Sequence, residues 1–155
     1  LGHSDSVQNA KDYLRDIAGI RVICYFIDDI YNLVNALKRQ SELIFIREKD
    51  YIQNPKPNGY RSFHVIIAVP VYYLDTMEYF PVEIQLRTMT MDLWASMEHR
   101  VCYKKLPEHR DELAEAFCQY ADILGKIEEQ FEAYNETGML EEITPAQITE
   151  NPTEG

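Results

Sequence analysis

Three cysteines are too few and too scattered for a disulfide framework. Cys24, Cys102 and Cys118 are odd in number, far apart, and form no CxxC pair of the kind that zinc ribbons and dithiol redox motifs use. A reducing, cytoplasmic setting is what this implies. No apolar run approaches the roughly 20 residues that cross a bilayer, and the opening LGHSDS is not a signal peptide. The sequence therefore reads as a soluble protein with no membrane partner. Internal repeats are lacking. So is an initial methionine, and a segment upstream of Leu1 is expected. Cations are scarce in one part only: residues 107–155 carry 2 Lys+Arg against 13 Asp+Glu, whereas residues 1–106 carry 13 of each. The net charge of −11 thus belongs to the C-terminal part. The first two thirds stay free to form a locally positive cleft for an anionic ligand. A broad basic face with spaced aromatics, which RNA binding needs, is missing, so no nucleic-acid partner is expected.

What is present suits one globular domain: 155 residues, 46% of them hydrophobic. Asp5–Leu14 reads as a short helix with Ser4 or Asp5 as its cap. Ile20–Phe26, rich in β-branched and aromatic residues, reads as a buried strand. DDIYNLVNALKRQ follows, with Ile30, Leu33, Val34 and Leu37 at helical spacing, acids at its start and cations at its end, which suits the helix dipole. A second strand is expected at Leu43–Arg47. Strand, helix, strand is a crossover unit, so these two strands are expected to run parallel in one sheet. HVIIAVPVYY and YFPVEIQLRT make a hairpin. In VEIQLRT, Val82, Ile84 and Leu86 share one face, and Glu83, Gln85 and Arg87 the other. Taken alone, that polar face reads as solvated. The next helix has Met91, Trp94, Met97 and Val101 as its buried stripe. From Pro107 to about Asn135 a long helix carries Leu113, Phe117, Tyr120, Leu124, Ile127, Phe131 and Tyr134 at heptad spacing, a seam for its own domain or for an oligomer contact. Residues 1–135 thus form the domain and 136–155 an acidic tail expected to be disordered.

The chemistry concentrates in KPNGYRSFH, Lys56–His64. A turn needs only Asn58 and Gly59, which supply positive φ angles. Lys56, Arg61 and His64 suit phosphates, the lysine as a point charge and the arginine as a planar fork. Tyr60, beside a glycine, suits a nucleobase, because stacking on an aromatic is worth about 1–3 kcal/mol. Elsewhere, Asp16 before the first strand and Glu83 on the fourth would converge on one Mg²⁺ if those strands are neighbours, since Mg²⁺ takes one or two carboxylates plus phosphate oxygens. Asp16 equally suits a turn cap, and Glu83 a pairing with Arg87 on its own face.

DIAGIRV, KPNGYRSFH, VEIQLRT and LWASMEHRVCYK together resemble the synthetase domain of the RelA/SpoT family, the (p)ppGpp synthetases, and most of all its small single-domain members. The resemblance covers about residues 5–135. It implies an α+β fold, a mixed four- or five-stranded twisted sheet flanked by helices, of nucleotidyltransferase-like type, with a long C-terminal helix. It also implies transfer of the β,γ-pyrophosphoryl group of ATP to the 3′-hydroxyl of GTP or GDP with release of AMP, Mg²⁺ as cofactor, and a homo-oligomer, a tetramer in the small members. By the same resemblance Asp16 and Glu83 are the metal and catalytic carboxylates. Lys56, Asn58, Tyr60, Arg61 and His64 belong to the acceptor site, and Asp92 faces the guanine edge. Arg21 stacks on adenine, Lys49 lies near the triphosphates, and Gln85, Arg87, Glu98 and His99 support the site. The family's basic segment over ATP falls upstream of Leu1, and no block resembles the family's hydrolase domain. A non-catalytic guanine-nucleotide-binding module with an incomplete ATP site is the alternative expectation.

Overall fold

The computed structural model describes residues 18–102 and 110–137. The predicted helix at Asp5–Leu14, Asp16 and the acidic tail beyond Thr137 lie outside the described residues. The described residues form four strands and three helices, in the order β1 (Ala18–Cys24), α1 (Ile27–Lys38), β2 (Ile44–Asp50), β3 (Phe63–Tyr73), β4 (Thr76–Thr88), α2 (Met89–Cys102) and α3 (Arg110–Thr137). They make the mixed sheet flanked by helices that the sequence led one to expect.

The sheet order is β1-β4-β3-β2. β4 is parallel to β1 and antiparallel to β3, and β3 is antiparallel to β2. β1 and β2 therefore do point the same way, yet they lie at opposite edges because the β3–β4 hairpin inserts between them. The buried first strand of the sequence reading is corrected by this: β1 has one partner, and Ile20 and Ile23 stay exposed. The hairpin is longer than its sequence suggests. Its strands continue to a two-residue connection, Leu74-Asp75, with Leu74 at φ 51° and the Thr76 hydroxyl donating to the Tyr73 carbonyl.

One sheet face carries the main core. Val65, Leu86 and Ile30 are fully buried there, together with Phe63, Ile67, Ile84 and Val34, so the Ile30/Val34 stripe of α1 closes over the apolar alternation of β3 and β4. Leu33 and Leu37 pack at its margin. The Asp29 carboxylate accepts from the Phe26 N–H at 3.1 Å, tying the start of α1. Asp50 ends β2: Oδ1 accepts from the N–H of Ile52 and Gln53, and Oδ2 from the Tyr31 hydroxyl.

A second cluster joins α2 to α3. Trp94, Phe117 and Ala121 are buried together, and the indole N–H of Trp94 donates to the Phe117 carbonyl at 2.7 Å. Of the stripe expected on α2, Met91 and Trp94 are buried and Val101 packs beside them, whereas Met97 is half exposed. The seam of α3 also divides. Phe117, Ala121 and Leu124 meet α2, while Tyr120, Ile127 and Phe131 face solvent. A straight helix drifts about 20° per heptad, so a heptad row leaves a flat contact face within a few turns.

Candidate active site

Pairing register lines up the polar residues of four strands. Arg21 is opposite Gln85, Gln85 opposite His64, and His64 opposite Lys49, one row across β1, β4, β3 and β2. Glu83 is opposite Gly19 on one side and Ile66 on the other, and Ile66 is opposite Arg47, giving a second row. Cross-strand partners share a face. Residues far apart in sequence therefore meet on the sheet surface away from the α1 core.

Three recesses run along that face. The largest, about 380 Å³, is lined by Arg21, Tyr60, Arg87, Ala95, Ser96, Glu98 and His99. A second, about 230 Å³, is lined by Gly19, Ile20, Arg21, Glu83 and Gln85. A third, about 70 Å³, is lined by Arg47, Lys49, His64, Ile66 and Glu83. Arg21 is common to the first two and Glu83 to the last two. The cleft is continuous, with Glu83 between Arg21 and the cations of β2.

The Lys56–His64 segment reaches this cleft through a tight turn. The Gly59 N–H donates to the Lys56 carbonyl at 2.8 Å and the Lys56 N–H to the Tyr60 carbonyl at 3.1 Å. Only Gly59 of the Asn-Gly pair has positive φ, at 90°. Asn58 instead accepts from the Tyr60 N–H through its side-chain oxygen, at 3.2 Å. Its observed contact is thus with the turn, where it sets the direction of Tyr60. Gly59 lies so close to α3 that a Cβ there would meet Ala121 Cβ at 2.9 Å.

Tyr60 sits among Tyr51, His64 and Trp94 in edge-to-face contacts. The Lys56 ammonium lies 4.6 Å from its ring centre and 4.9 Å from that of Tyr51, a position stabilised by the ring quadrupoles. The Tyr60 hydroxyl is 2.8 Å from His64 Nε2, and His64 Nδ1 is 3.2 Å from Glu83 Oε1. Burial lowers the His64 pKa, Glu83 opposes that shift, and Arg87 and Lys56 reinforce it.

The solvated reading of the Glu83, Gln85, Arg87 face does not hold. Arg87 is 6% exposed and donates to Asp92 Oδ1 at 3.0 Å, to the Tyr60 hydroxyl at 3.0 Å and to Gln85 at 3.3 Å. Gln85 in turn donates to Glu83 Oε2. Arg87 is thus spent on Asp92, and the Glu83–Arg87 pairing is replaced by a link through Gln85. Asp92 Oδ1 also lies 3.4 Å from Arg21 Nη1. Two guanidiniums therefore hold one oxygen of the carboxylate that the resemblance places at the guanine edge.

Glu98 and His99 line the largest recess, with Ser96. The structure does not bring Arg61 into the group. Its neighbour Tyr60 faces the cleft, while the Arg61 guanidinium reaches α3, 3.0 Å from where a Cβ on Gly125 would stand. Arg47 is a cleft residue that the sequence reading passed over. Its signal was its place two before Lys49 in one strand, hence on the same face. For a divalent cation, the described residues contain no group of three or more His, Cys, Asp and Glu side chains. Mg²⁺ needs only one or two carboxylates alongside phosphate oxygens. Glu83, a hard oxygen donor between two recesses, fits that requirement. β1, the strand that follows Asp16 in the sequence, lies directly beside β4.

Comparison with known proteins agrees with this geometry. The family model described as a region found in RelA / SpoT proteins matches residues 3–108. The chain is 46% identical over 125 residues to GTP pyrophosphokinase YwaC of Bacillus subtilis (strain 168), covering 81% of this chain and 60% of that protein. It is 37% identical over 91 residues to GTP pyrophosphokinase YjbM of the same strain, covering 59% of this chain and 43% of the other. The chain therefore spans less than two thirds of these relatives. The crystal structure of small alarmone synthetase 2 from Bacillus subtilis superposes with a TM-score of 0.74 at 44% identity, over 83% of this chain and 70% of that one. That of small alarmone synthetase 1 from Bacillus subtilis, bound to its product pppGpp, gives 0.72 at 28% identity, over 82% and 64%. Matching blocks, a shared fold and a cleft built from those same blocks lead to one conclusion: the chain belongs to the RelA/SpoT family.

Proposed function

We propose that the chain is a pyrophosphoryl transferase that makes (p)ppGpp from ATP and GTP or GDP. The observation that carries this is the position of Glu83, at the meeting of a recess bearing Arg21 and a recess bearing Arg47, Lys49 and His64. A donor on the Arg21 side and an acceptor held from Tyr60 would meet at that carboxylate.

In this reading the guanine stacks on Tyr60, with Glu98 and Ser96 at the wall of its recess. Arg21 meets the adenine. Lys49, Lys56 and Arg47 offset phosphate charge, His64 lies between Tyr60 and Glu83, and Arg61 contributes through the packing of the Tyr60 segment on α3. Glu83 takes the proton of the acceptor 3′-hydroxyl as its oxygen attacks the β-phosphorus of ATP, the α,β-bridging P–O bond breaks, and AMP leaves. Positioning and charge neutralisation carry most of such a transfer. Asp16 and Glu83 would hold Mg²⁺, which when bound neutralises developing charge on the phosphate oxygens. The names of the two GTP pyrophosphokinases and of the product-bound synthetase support this reading. A homo-oligomer belongs to it as well. The apolar stripe left exposed on α3 at Tyr120, Ile123, Ile127 and Phe131 is compatible with that.

The test is product formation from ATP plus GDP or GTP with Mg²⁺, following AMP and the 3′-pyrophosphorylated nucleotide together. Both are expected in equal amounts. Guanine nucleotide binding without AMP release would refute catalysis and leave a binding module.

A further inference from the structure

Five side chains of the cleft close a ring of hydrogen bonds, oriented by the guanidinium, which only donates, and the carboxylate, which only accepts. The guanidinium of Arg87 has donors only. Its Nη2 donates to the Tyr60 hydroxyl oxygen at 3.0 Å and to Gln85 Oε1 at 3.3 Å. At the far end the Glu83 carboxylate only accepts, so a neutral His64 carries its proton on Nδ1 and accepts the Tyr60 O–H at Nε2, 2.8 Å away. Nδ1 faces Glu83 Oε1 at 3.2 Å. Along the other branch, Gln85 turns its oxygen to the guanidinium and its amide N–H to Glu83 Oε2 at 3.4 Å. The reverse orientation would set an NH₂ against a cation and an oxygen against a carboxylate. Both branches start at the buried Arg87 and end on Glu83, one donor for each carboxylate oxygen.

From this ring we infer that the Tyr60 hydroxyl has a role separate from its aromatic ring. It makes Tyr60 a positioning residue that holds the His64 ring with Nδ1–H toward Glu83 and so fixes the orientation of the Glu83 carboxylate. The inference rests on the functional reading above, in which the ring stacks on guanine and Glu83 takes the proton. Acceptor recognition and placement of the base then share one residue. A second-sphere partner that holds a histidine by bonding its far nitrogen is a general device of polar sites.

Tyr60→Phe in the full chain removes one oxygen and keeps the ring. Nitrogen-15 NMR of the imidazoles in the ligand-free protein reports the tautomer, with the His64 signals identified by their loss in His64→Gln. The unaltered chain is expected to show His64 as the single Nδ1–H tautomer with Nε2 shifted by its bond from Tyr60, and Tyr60→Phe the same tautomer with that Nε2 shift lost. In turnover kcat is expected to fall about tenfold, the equivalent of about 1.4 kcal/mol. Acceptor affinity, measured by titration with a fluorescent guanine nucleotide, should change by less than about twofold, because the stacking surface is intact. A merely structural hydroxyl would not separate kcat from binding in this way. The inference is overturned by an Nε2–H tautomer in the unaltered chain, or by a Tyr60→Phe kcat within about twofold of normal whatever the Nε2 shift. Should the unaltered chain turn over nothing, the functional reading falls. The loss of the Nε2 shift on removing the hydroxyl then decides alone whether Tyr60 holds the group facing Glu83.

Discussion

Gly59 is where the turn of the cleft meets the helical layer, and replacing it with alanine has a calculable cost. The residue sits at φ 90°, where an L side chain is disfavoured by about 1–2 kcal/mol. The added Cβ would stand 2.9 Å from Ala121 Cβ, 3.3 Å from Cys118 Cα and 3.6 Å from the Phe117 carbonyl oxygen. Carbon atoms in contact prefer about 3.5–4.0 Å, so the turn and α3 must part by several tenths of an ångström. Two of those three atoms belong to the helix backbone, so no side-chain rotation relieves the crowding. Overpacking of this kind costs about 1–3 kcal/mol, which brings the total to about 2–5 kcal/mol. Urea unfolding at equilibrium measures it. Gly19→Ala serves as the control, because a Cβ there meets nothing within 4 Å. A Gly59→Ala protein within about 0.5 kcal/mol of the unaltered chain would refute the argument, since surface substitutions fall in that range.

Glu83→Gln preserves size while removing the charge, and synthesis should fall by at least about 10²-fold with unfolding unchanged; near-normal turnover would take Glu83 out of the mechanism. Tyr60→Ala should weaken acceptor binding by about 1–3 kcal/mol in a nucleotide titration, and unaltered affinity would end the stacking assignment. Trp94→Phe removes the indole bond to the Phe117 carbonyl and should cost about 0.5–1.5 kcal/mol in urea, with an unchanged midpoint counting against the indole tie between α2 and α3. The folded-state pKa of His64 lies below the usual imidazole value of 6.5, so on acidification the unfolded chain binds that proton first. The stability associated with the neutral imidazole is complete above about pH 6.5 and declines as pH falls through that value toward the folded pKa. The urea midpoint should therefore drop more steeply from pH 7 to 5 in the unaltered chain than in His64→Gln, whereas equal slopes would contradict it.

The types of side chain at the cleft were legible in the sequence because the blocks that carry them are contiguous. The polar face of β4 is set by strict alternation, and its apolar counterpart by the same alternation one residue out of phase. What alternation does not report is the neighbour. Glu83, Gln85 and Arg87 were read as solvated because nothing local reveals that Tyr60 and Asp92 close over Arg87. Arg61 was grouped with Lys56 and His64 by proximity in sequence. The strand that follows sends successive side chains to opposite sides, and Arg61 goes to α3. Periodicity puts Met97 in a buried stripe and leaves the α3 row open between its own domain and an oligomer contact, because it marks an apolar face without saying whether anything covers it.

By itself, then, the sequence determined the local terms: which segments are strands and helices, which faces are apolar, where the acids and bases of the cleft are carried, and that charge is split along the chain. These depend on backbone sterics and on side-chain spacing within a few residues. Only the tertiary structure decided that β4 lies between β1 and β3, that β1 is an edge strand, and that Arg21, Gln85, His64 and Lys49 share one row. Strand partnership and register are settled by burial and pairing summed over the whole sheet. A free energy shared among distant segments leaves no mark on any one of them.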